Sequence, residues 1–248
     1  MILFLRRIYT FWAVLVFVLG FLMLYPFFML FLISPKTHQA SHFCYKIWAV
    51  FVFTLCGTPF LPERHFKQNK KQAYIFCSNH TSYADIAMLY LTIQVPFSFI
   101  GKSSLAKVPL FGYLYKTLHI LVDRKSAASK RYVVEESLRR IDKGESIMIF
   151  PEGTIPKNPP MLGDFKEGAF KMAIEKQIPV VPITIPNNWI ILADDGKWLC
   201  NWRPFRVIIH KPIETKGLTI ENIEQLKKQT FDVINNELIK RFPRNDNR

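Results

Sequence analysis

From Ile8 to Ser34 the chain runs 27 residues without a charged side chain. Coiled as a helix at roughly 1.5 Å per residue, that run exceeds a hydrocarbon core of roughly 30 Å. Two geometries suit it: a tilted span, or a helix that breaks at Pro26 and dips. A second apolar stretch, Ile47–Phe60, is too short for an ordinary span and suits a re-entrant or interfacial helix. Tyr9, Trp12, Tyr25 and Trp48 are suited to the membrane–water interface. A cleaved signal peptide is disfavoured, because the run is too long and no small-residue cleavage site follows it. Arg6 and Arg7, with no acidic residue in 1–60, favour a cytoplasmic N-terminus. Lys36 and Lys46 lie between the two apolar stretches and leave the side of that connection open. Residues 1–60 are therefore expected to form a membrane-embedded helical segment.

The composition changes at residues 61–72 (LPERHFKQNKKQ), which mark a polar, basic boundary. Beyond it, strand-like and helix-like runs alternate. The strands are expected at 73–78, 97–101, 118–122, 146–150, 179–185 and 205–210. The helices are expected at 84–92, 109–117, 127–143 (stopped by Gly144), 167–177 and 219–242. The last is amphipathic through Ile220, Ile223, Leu226, Val233, Ile234 and Leu238. Strands apolar throughout and separated by helices imply an α/β domain over 61–248, its sheet flanked by helices on both faces. Residues 186–204 read as a long irregular loop with three tryptophans, and long loops in compact domains are often functional.

Residues able to do chemistry gather at the expected strand ends. Ser78–Asp85 (SNHTSYAD) follows a strand and opens a helix. Five residues apart on one helix, His80 and Asp85 would lie about 140° apart and would not touch. With His80 in the loop and Asp85 in the first helical turn, they can meet, and the carboxylate can hold the imidazole's tautomer. Asp85 also fits a plain capping role with Ser82. Phe150–Thr154 (FPEGT) places Glu152, Gly153 and Thr154 at another strand end, or forms a simple turn. Arg124 closes a third strand and can clamp a phosphate or sit in a surface ion pair. Lys102 ends a fourth, and Lys166 lies just before a helix. Each alone is ordinary; their convergence on strand ends is what points to a ligand site.

Together these motifs resemble the 1-acylglycerol-3-phosphate (lysophosphatidate) acyltransferase family of glycerolipid acyltransferases, over roughly residues 70–215. NHTSYAD is similar to the family's NHxxxxD motif, which implies His80 and Asp85 as the catalytic pair. HILVDR implies Arg124 as an acceptor contact, and FPEGT implies acceptor binding by Glu152 and Gly153. VVPITI (Val180–Ile185) is similar to the fourth, apolar motif, associated with acyl-chain packing. Two positions depart from the pattern. Leu118 stands where the second motif usually has Gly, and Ile155 stands where FPEGT is usually followed by Arg. The second departure removes a phosphate ligand, for which Lys157 or Lys166 is the substitute at hand.

The resemblance implies acyl transfer from acyl-CoA or acyl-carrier protein, as co-substrate, to a lysophospholipid hydroxyl, with no cofactor and no metal. A net charge of +14 suits anionic lipid and phosphorylated substrates. Nucleic acid is not an expected partner, because the basic residues are dispersed and no recognition motif is visible. The four scattered cysteines form no CxxC pair and fit a reducing, cytoplasm-facing domain. A bacterial inner membrane is the expected location. The competing readings are an acyltransferase or transacylase acting on another lysolipid (lysophospholipid or aminolipid), and a membrane-anchored lipid-binding protein with no activity; an intact His80–Asp85 pair argues against the latter.

Overall fold

The computed structural model describes residues 1–243, so the last five residues of the expected 61–248 domain lie outside the described residues. Eight helices and seven strands alternate among them, with short 3₁₀ turns between some. The first helix, α1 (Ile2–Leu32), runs unbroken through Pro26. Proline costs a helix one backbone hydrogen bond, but it does not force a break where the neighbouring turns hold. Of the two geometries open in the sequence, the continuous helix is the one observed. Over Leu3–Leu32 it is long and apolar enough to cross a membrane by length and composition.

The second helix, α2 (Ser41–Leu55), folds back along α1. The two approach closely at Gly20, where a Cβ would stand 2.7 Å from the Phe51 ring. Trp48 packs against Phe17 at a tilt, with ring centroids 4.4 Å apart, and donates its Nε1–H to the Phe17 carbonyl at 2.9 Å. The opposite side of α2 is buried in the domain: Tyr45 stacks on Tyr90 at 4.2 Å, and Phe53 meets Phe205 at 4.6 Å. Its outer face still exposes Phe43, Ile47, Val50 and Leu55.

The strands are β1 (Phe60–Arg64), β2 (Ile75–Ser78), β3 (Phe97–Lys102), β4 (Ile120–Val122), β5 (Ser146–Ile149), β6 (Val180–Thr184) and β7 (Phe205–Ile209). They form one sheet in the order β1-β7-β6-β2-β5-β3-β4. From β6 to β4 the neighbours are parallel, so β2, β3, β4, β5 and β6 all end at one edge. β7 runs antiparallel to β6 and parallel to β1. The sheet is thus mixed rather than all parallel.

One face of the sheet is covered by α2, α3 (Asp85–Thr92) and α4 (Phe111–Leu118), with α1 outside them, around Phe76, Phe97, Phe99, Val181 and Val207. The other is covered by α5 (Ala127–Asp142), α6 (Gly168–Lys176) and α8 (Ile223–Arg241), around Ile75, Ile147, Val180 and Phe170. Helices therefore lie on both faces, as the pattern of wholly apolar strands implied.

Three details differ from the sequence reading. LPER (61–64), read as boundary, forms the edge strand β1 with Phe60; proline and charge are compatible with a strand that has a partner on one side only. The long loop contains a short helix, α7 (Asn188–Ile191), and a bridge between Leu192 and Cys200. In α8 the buried stripe is Ile223, Leu226, Thr230, Ile234 and Leu238, while Ile220 sits exposed in the preceding 3₁₀ turn.

Two glycines give opposite expectations. A Cβ at Gly112, in α4, would stand 2.2 Å from the Ala106 carbonyl oxygen, so two backbone segments must part. Gly112→Ala should cost about 1–3 kcal/mol, a Tm fall of about 2–12 °C for a chain of this size. Gly168, at the start of α6, has open space around it. Gly168→Ala should leave Tm unchanged or raise it slightly. Thermal unfolding of both variants checks the contrast; equal effects would mean that the Ala106 contact is not limiting.

Candidate active site

The site is assembled on the loop between β2 and α3. Asp85, the first residue of α3, is fully buried. Its Oδ2 accepts from the backbone N–H of Thr81 (2.8 Å) and of Ser82 (3.0 Å) and meets His80 Nδ1 at 2.8 Å. The two roles that the sequence left as alternatives for Asp85, loop capping and holding an imidazole, are thus combined in one oxygen. A carboxylate only accepts, so Nδ1 of His80 carries a proton, and in the neutral ring Nε2 presents a lone pair. Among the described residues, Nε2 takes no hydrogen bond. The His80 side chain is 15% exposed, which leaves it open to a ligand.

Phe150, just past β5, supports the ring from one side: the His80 and Phe150 rings stack at 4.0 Å and 14°. Glu152, 5% exposed, supports the loop from below. Its Oε1 accepts from the His80 backbone N–H at 2.8 Å and its Oε2 from the Gly163 N–H at 2.6 Å. With both oxygens occupied by main chain, this carboxylate braces the His80 loop against the FPEGT turn. Burial pushes its pKa up to about 7, against the pull of the Gly163 and His80 N–H groups and the His80 ring.

Gly153 has φ +74°, and a Cβ there would also stand 2.8 Å from Lys166 Nζ. Glycine is favoured here by the left-handed backbone, whereas the mobile end of Lys166, which lies over the turn, could move aside for a Cβ. Thr154 follows it, exposed.

Not every expected residue lies this close. Lys102 and Arg124 are exposed at the ends of β3 and β4, whose registers place Lys102 beside Val122. β4 is three strands from β2, about 14 Å at ~4.8 Å per strand. Partial desolvation pulls the Arg124 guanidinium below its usual pKa, while the Tyr115 phenol opposes it. Neither cation makes an ion pair among the described residues. Val181, Ile183 and Ile185 of the fourth motif are buried in the core on the α3 side of the sheet.

The sequence reading missed the far wall of the site. Asn79 and Ile185 exchange two hydrogen bonds: Ile185 N–H to Asn79 Oδ1 at 2.7 Å, and Asn79 Nδ2 to the Ile185 carbonyl at 2.8 Å. The Ser82 hydroxyl donates to the Leu192 carbonyl at 2.8 Å. Asn188 Nδ2 donates to Asp85 Oδ1 at 2.7 Å. Tyr83 and Trp198 stack at 5.1 Å above. The Ser78–Asp85 run and the long 186–204 loop were each marked in the sequence, but the pairing between them was not, because the partners lie more than a hundred positions apart.

A histidine held by a buried carboxylate at the C-terminal edge of an open sheet is an arrangement chemically able to take a proton from a bound group. Comparison with known proteins agrees with that chemistry. A family model described as Acyltransferase matches residues 62–186. The 1-acyl-sn-glycerol-3-phosphate acyltransferase of Haemophilus influenzae is 30% identical over 184 residues, covering 69% of this chain and 72% of that protein. The chloroplastic 1-acyl-sn-glycerol-3-phosphate acyltransferase LPAT1 of Arabidopsis thaliana is 31% identical over 196 residues, covering 76% of this chain and 52% of that protein. The chain thus spans about half the length of the plant relatives it matches. The crystal structure of the 1-acyl-sn-glycerophosphate (LPA) acyltransferase PlsC from Thermotoga maritima superposes with a TM-score of 0.78, over 96% of this chain and 98% of that one, at 21% identity; the fold is shared. The chain belongs to the Acyltransferase family.

Glu152 yields a prediction in pH. Its folded pKa, about 7, lies above the ordinary 4.5, so its ionisation is disfavoured in the folded state. The associated stability is present below pH 4.5 and lost as pH rises through 7, a loss of about 3 kcal/mol. Glu152→Gln carries no such dependence. Wild-type Tm should therefore fall relative to that of the variant between pH 4.5 and 8, measured by thermal unfolding in detergent micelles. A constant gap would contradict the raised pKa.

Proposed function

We propose that this protein is a membrane-bound 1-acylglycerol-3-phosphate acyltransferase, moving an acyl chain from acyl-CoA or acyl-carrier protein to the free hydroxyl of lysophosphatidate to give phosphatidic acid. The observation that carries the reading is the His80–Asp85 pair, with Nδ1 held at 2.8 Å and Nε2 left free. The names of the relatives favour lysophosphatidate as acceptor.

In this reading the acceptor hydroxyl gives its proton to His80 Nε2 as its oxygen bonds to the thioester carbonyl carbon. The tetrahedral intermediate collapses, the C–S bond breaks, and the departing thiolate takes the proton back from Nε2 as a thiol. Asp85 keeps the ring in the base tautomer and offsets the imidazolium charge between the two transfers. Neither a covalent acyl-enzyme nor a cofactor enters. Glu152 and Phe150 fix the loop and the ring, so the base meets its substrate without reorganising.

The acceptor's phosphomonoester carries a charge near −2. Arg124 is assigned to it, because a guanidinium at a strand end can hold two oxygens, with Lys102 beside it and Lys166 over the FPEGT turn. Gly153 and Thr154 line the same turn. The exposed apolar surface of α1 supports retention in the bilayer, with the α/β domain on the cytoplasmic side.

The test is an assay of the full chain with labelled acyl-CoA and acyl-carrier protein against a panel of lysolipids. Phosphatidic acid should be the preferred product, and preference for an acceptor without the phosphomonoester would make Ile155 the mark of a different lipid. His80→Ala should lower turnover by at least roughly 10²-fold without loss of fold; a folded variant of near-normal activity would sink the base assignment. Arg124→Ala should raise KM for lysophosphatidate roughly tenfold, as expected for a lost charged hydrogen bond, and leave acceptors without phosphate little changed. Equal loss on both would make Arg124 structural. Carbonate washing should leave the protein in the membrane pellet, whereas release by salt alone would exclude an embedded α1.

A further inference from the structure

We propose that Asn188 is a positioning residue for the transfer reaction, acting through Asp85 to fix the imidazole of His80. The inference rests on the reading of His80 and Asp85 as base and orienter.

The two oxygens of Asp85 are unequally served. Oδ2 takes three donors, all from the loop that Asp85 itself caps. Oδ1 is bonded by Asn188 Nδ2 at 2.7 Å, and this bond comes from 103 residues away. With the three donors on Oδ2, it resists a turn of the buried carboxylate about its Cβ–Cγ bond, and such a turn would carry Oδ2 off His80 Nδ1. Because a carboxylate cannot donate, the N–H side of the amide must face it. The amide's own oxygen is then buried without a partner. An apolar residue would avoid that cost, so the amide at this position is explained by its N–H, which also lies 2.9 Å from Met88 Sδ.

Asn188 is itself firmly placed. It opens α7 and is fully buried. The segment carrying it is tied to the His80 loop on both sides, by the Asn79–Ile185 pair before it and the Ser82–Leu192 bond after it. A donor held in this way can transmit position to Asp85 instead of following it.

The experiment is a kinetic double-mutant cycle on the full chain in detergent micelles, with lysophosphatidate and acyl-CoA, using Asn188→Leu, Asp85→Ala and the double variant. Asn188→Leu should lower kcat roughly 10–100-fold, a loss like that seen when the hydrogen-bond partner of a metal-ligating side chain is removed. Both KM values should stay within about twofold, which a general loosening of the fold would not produce. In the Asp85→Ala background the same substitution should cost no more than about twofold. Equal losses in both backgrounds would show that Asn188 does not act through Asp85 and would overturn the proposal. If Asp85→Ala is impaired while Asn188→Leu turns over normally, the inference alone falls; if Asp85→Ala itself turns over normally, the base-and-orienter reading falls and takes the inference with it. Should Asn188→Leu not fold, the near-isosteric Asn188→Asp decides. It sets a second carboxylate against Oδ1 and should lose at least as much kcat, and wild-type turnover in that variant would overturn the proposal.

Discussion

A carboxylate with no exposed surface is the constraint around which the site is built. An isolated charge buried at Asp85 would cost the fold several kcal/mol unless it were paired and hydrogen-bonded. The chain meets that demand with four donors: two backbone N–H groups of the preceding loop, the His80 ring and the Asn188 amide. Satisfying Asp85 fixes the loop conformation, the tautomer of His80 and the docking of the 185–192 segment together. The chemistry of the site is in this sense a by-product of solving a burial problem. Glu152 solves a second one in the same way, spending its two oxygens on main-chain N–H groups of the His80 loop and Gly163.

The N-terminal helices share the core of the sheet. Phe21, Phe28, Tyr45, Trp48 and Phe53 belong to the same buried cluster as Phe76, Phe97 and Phe99. Polar ties reinforce the packing near the catalytic edge. The Tyr9 hydroxyl donates to the Cys56 carbonyl, the Cys200 N–H to the Thr10 hydroxyl, and Trp202 Nε1–H to the Gly57 carbonyl. The start of α1 is thereby joined to the loop that carries Asn188. In the proposed membrane-bound state, the same contacts hold the catalytic edge at a set position relative to the bilayer, so a lipid acceptor need travel little to reach His80.

Much of this was legible locally. Wholly apolar runs such as SIMIF and PVVPITI read as strands because both sides are buried, and Gly144 ended α5 as its left-handed φ of +81° requires. His80 and Asp85 were legible as a pair because a loop followed by a first helical turn is a local geometry. β1 was not legible: FLPER looks polar because it lies at an edge, where pairing on one side suffices. α7 was hidden within a loop-like stretch, since four residues are too few to show a helical period. For Glu152, residue type and strand-end position left a ligand contact or a simple turn open, and the family resemblance of FPEGT implied acceptor binding. That both oxygens of Glu152 face main chain depends on how two segments pack.

The sequence by itself determined most of the elements and the His80–Asp85 contact, because helical period, apolar runs and five-residue spacing are properties of neighbours along the chain. It determined too that the first helix is long and apolar enough for a bilayer. The tertiary structure decided what those residues do to one another. It set the strand order, which leaves Arg124 about 14 Å out along the edge, and it folded the loop that ties Lys166 N–H to the Pro151 carbonyl, over the turn beside His80. It also closed the Asp85–Asn188 bond across 103 positions. No local pattern encodes such a contact, because its partners become neighbours only when β2 and β6 pair.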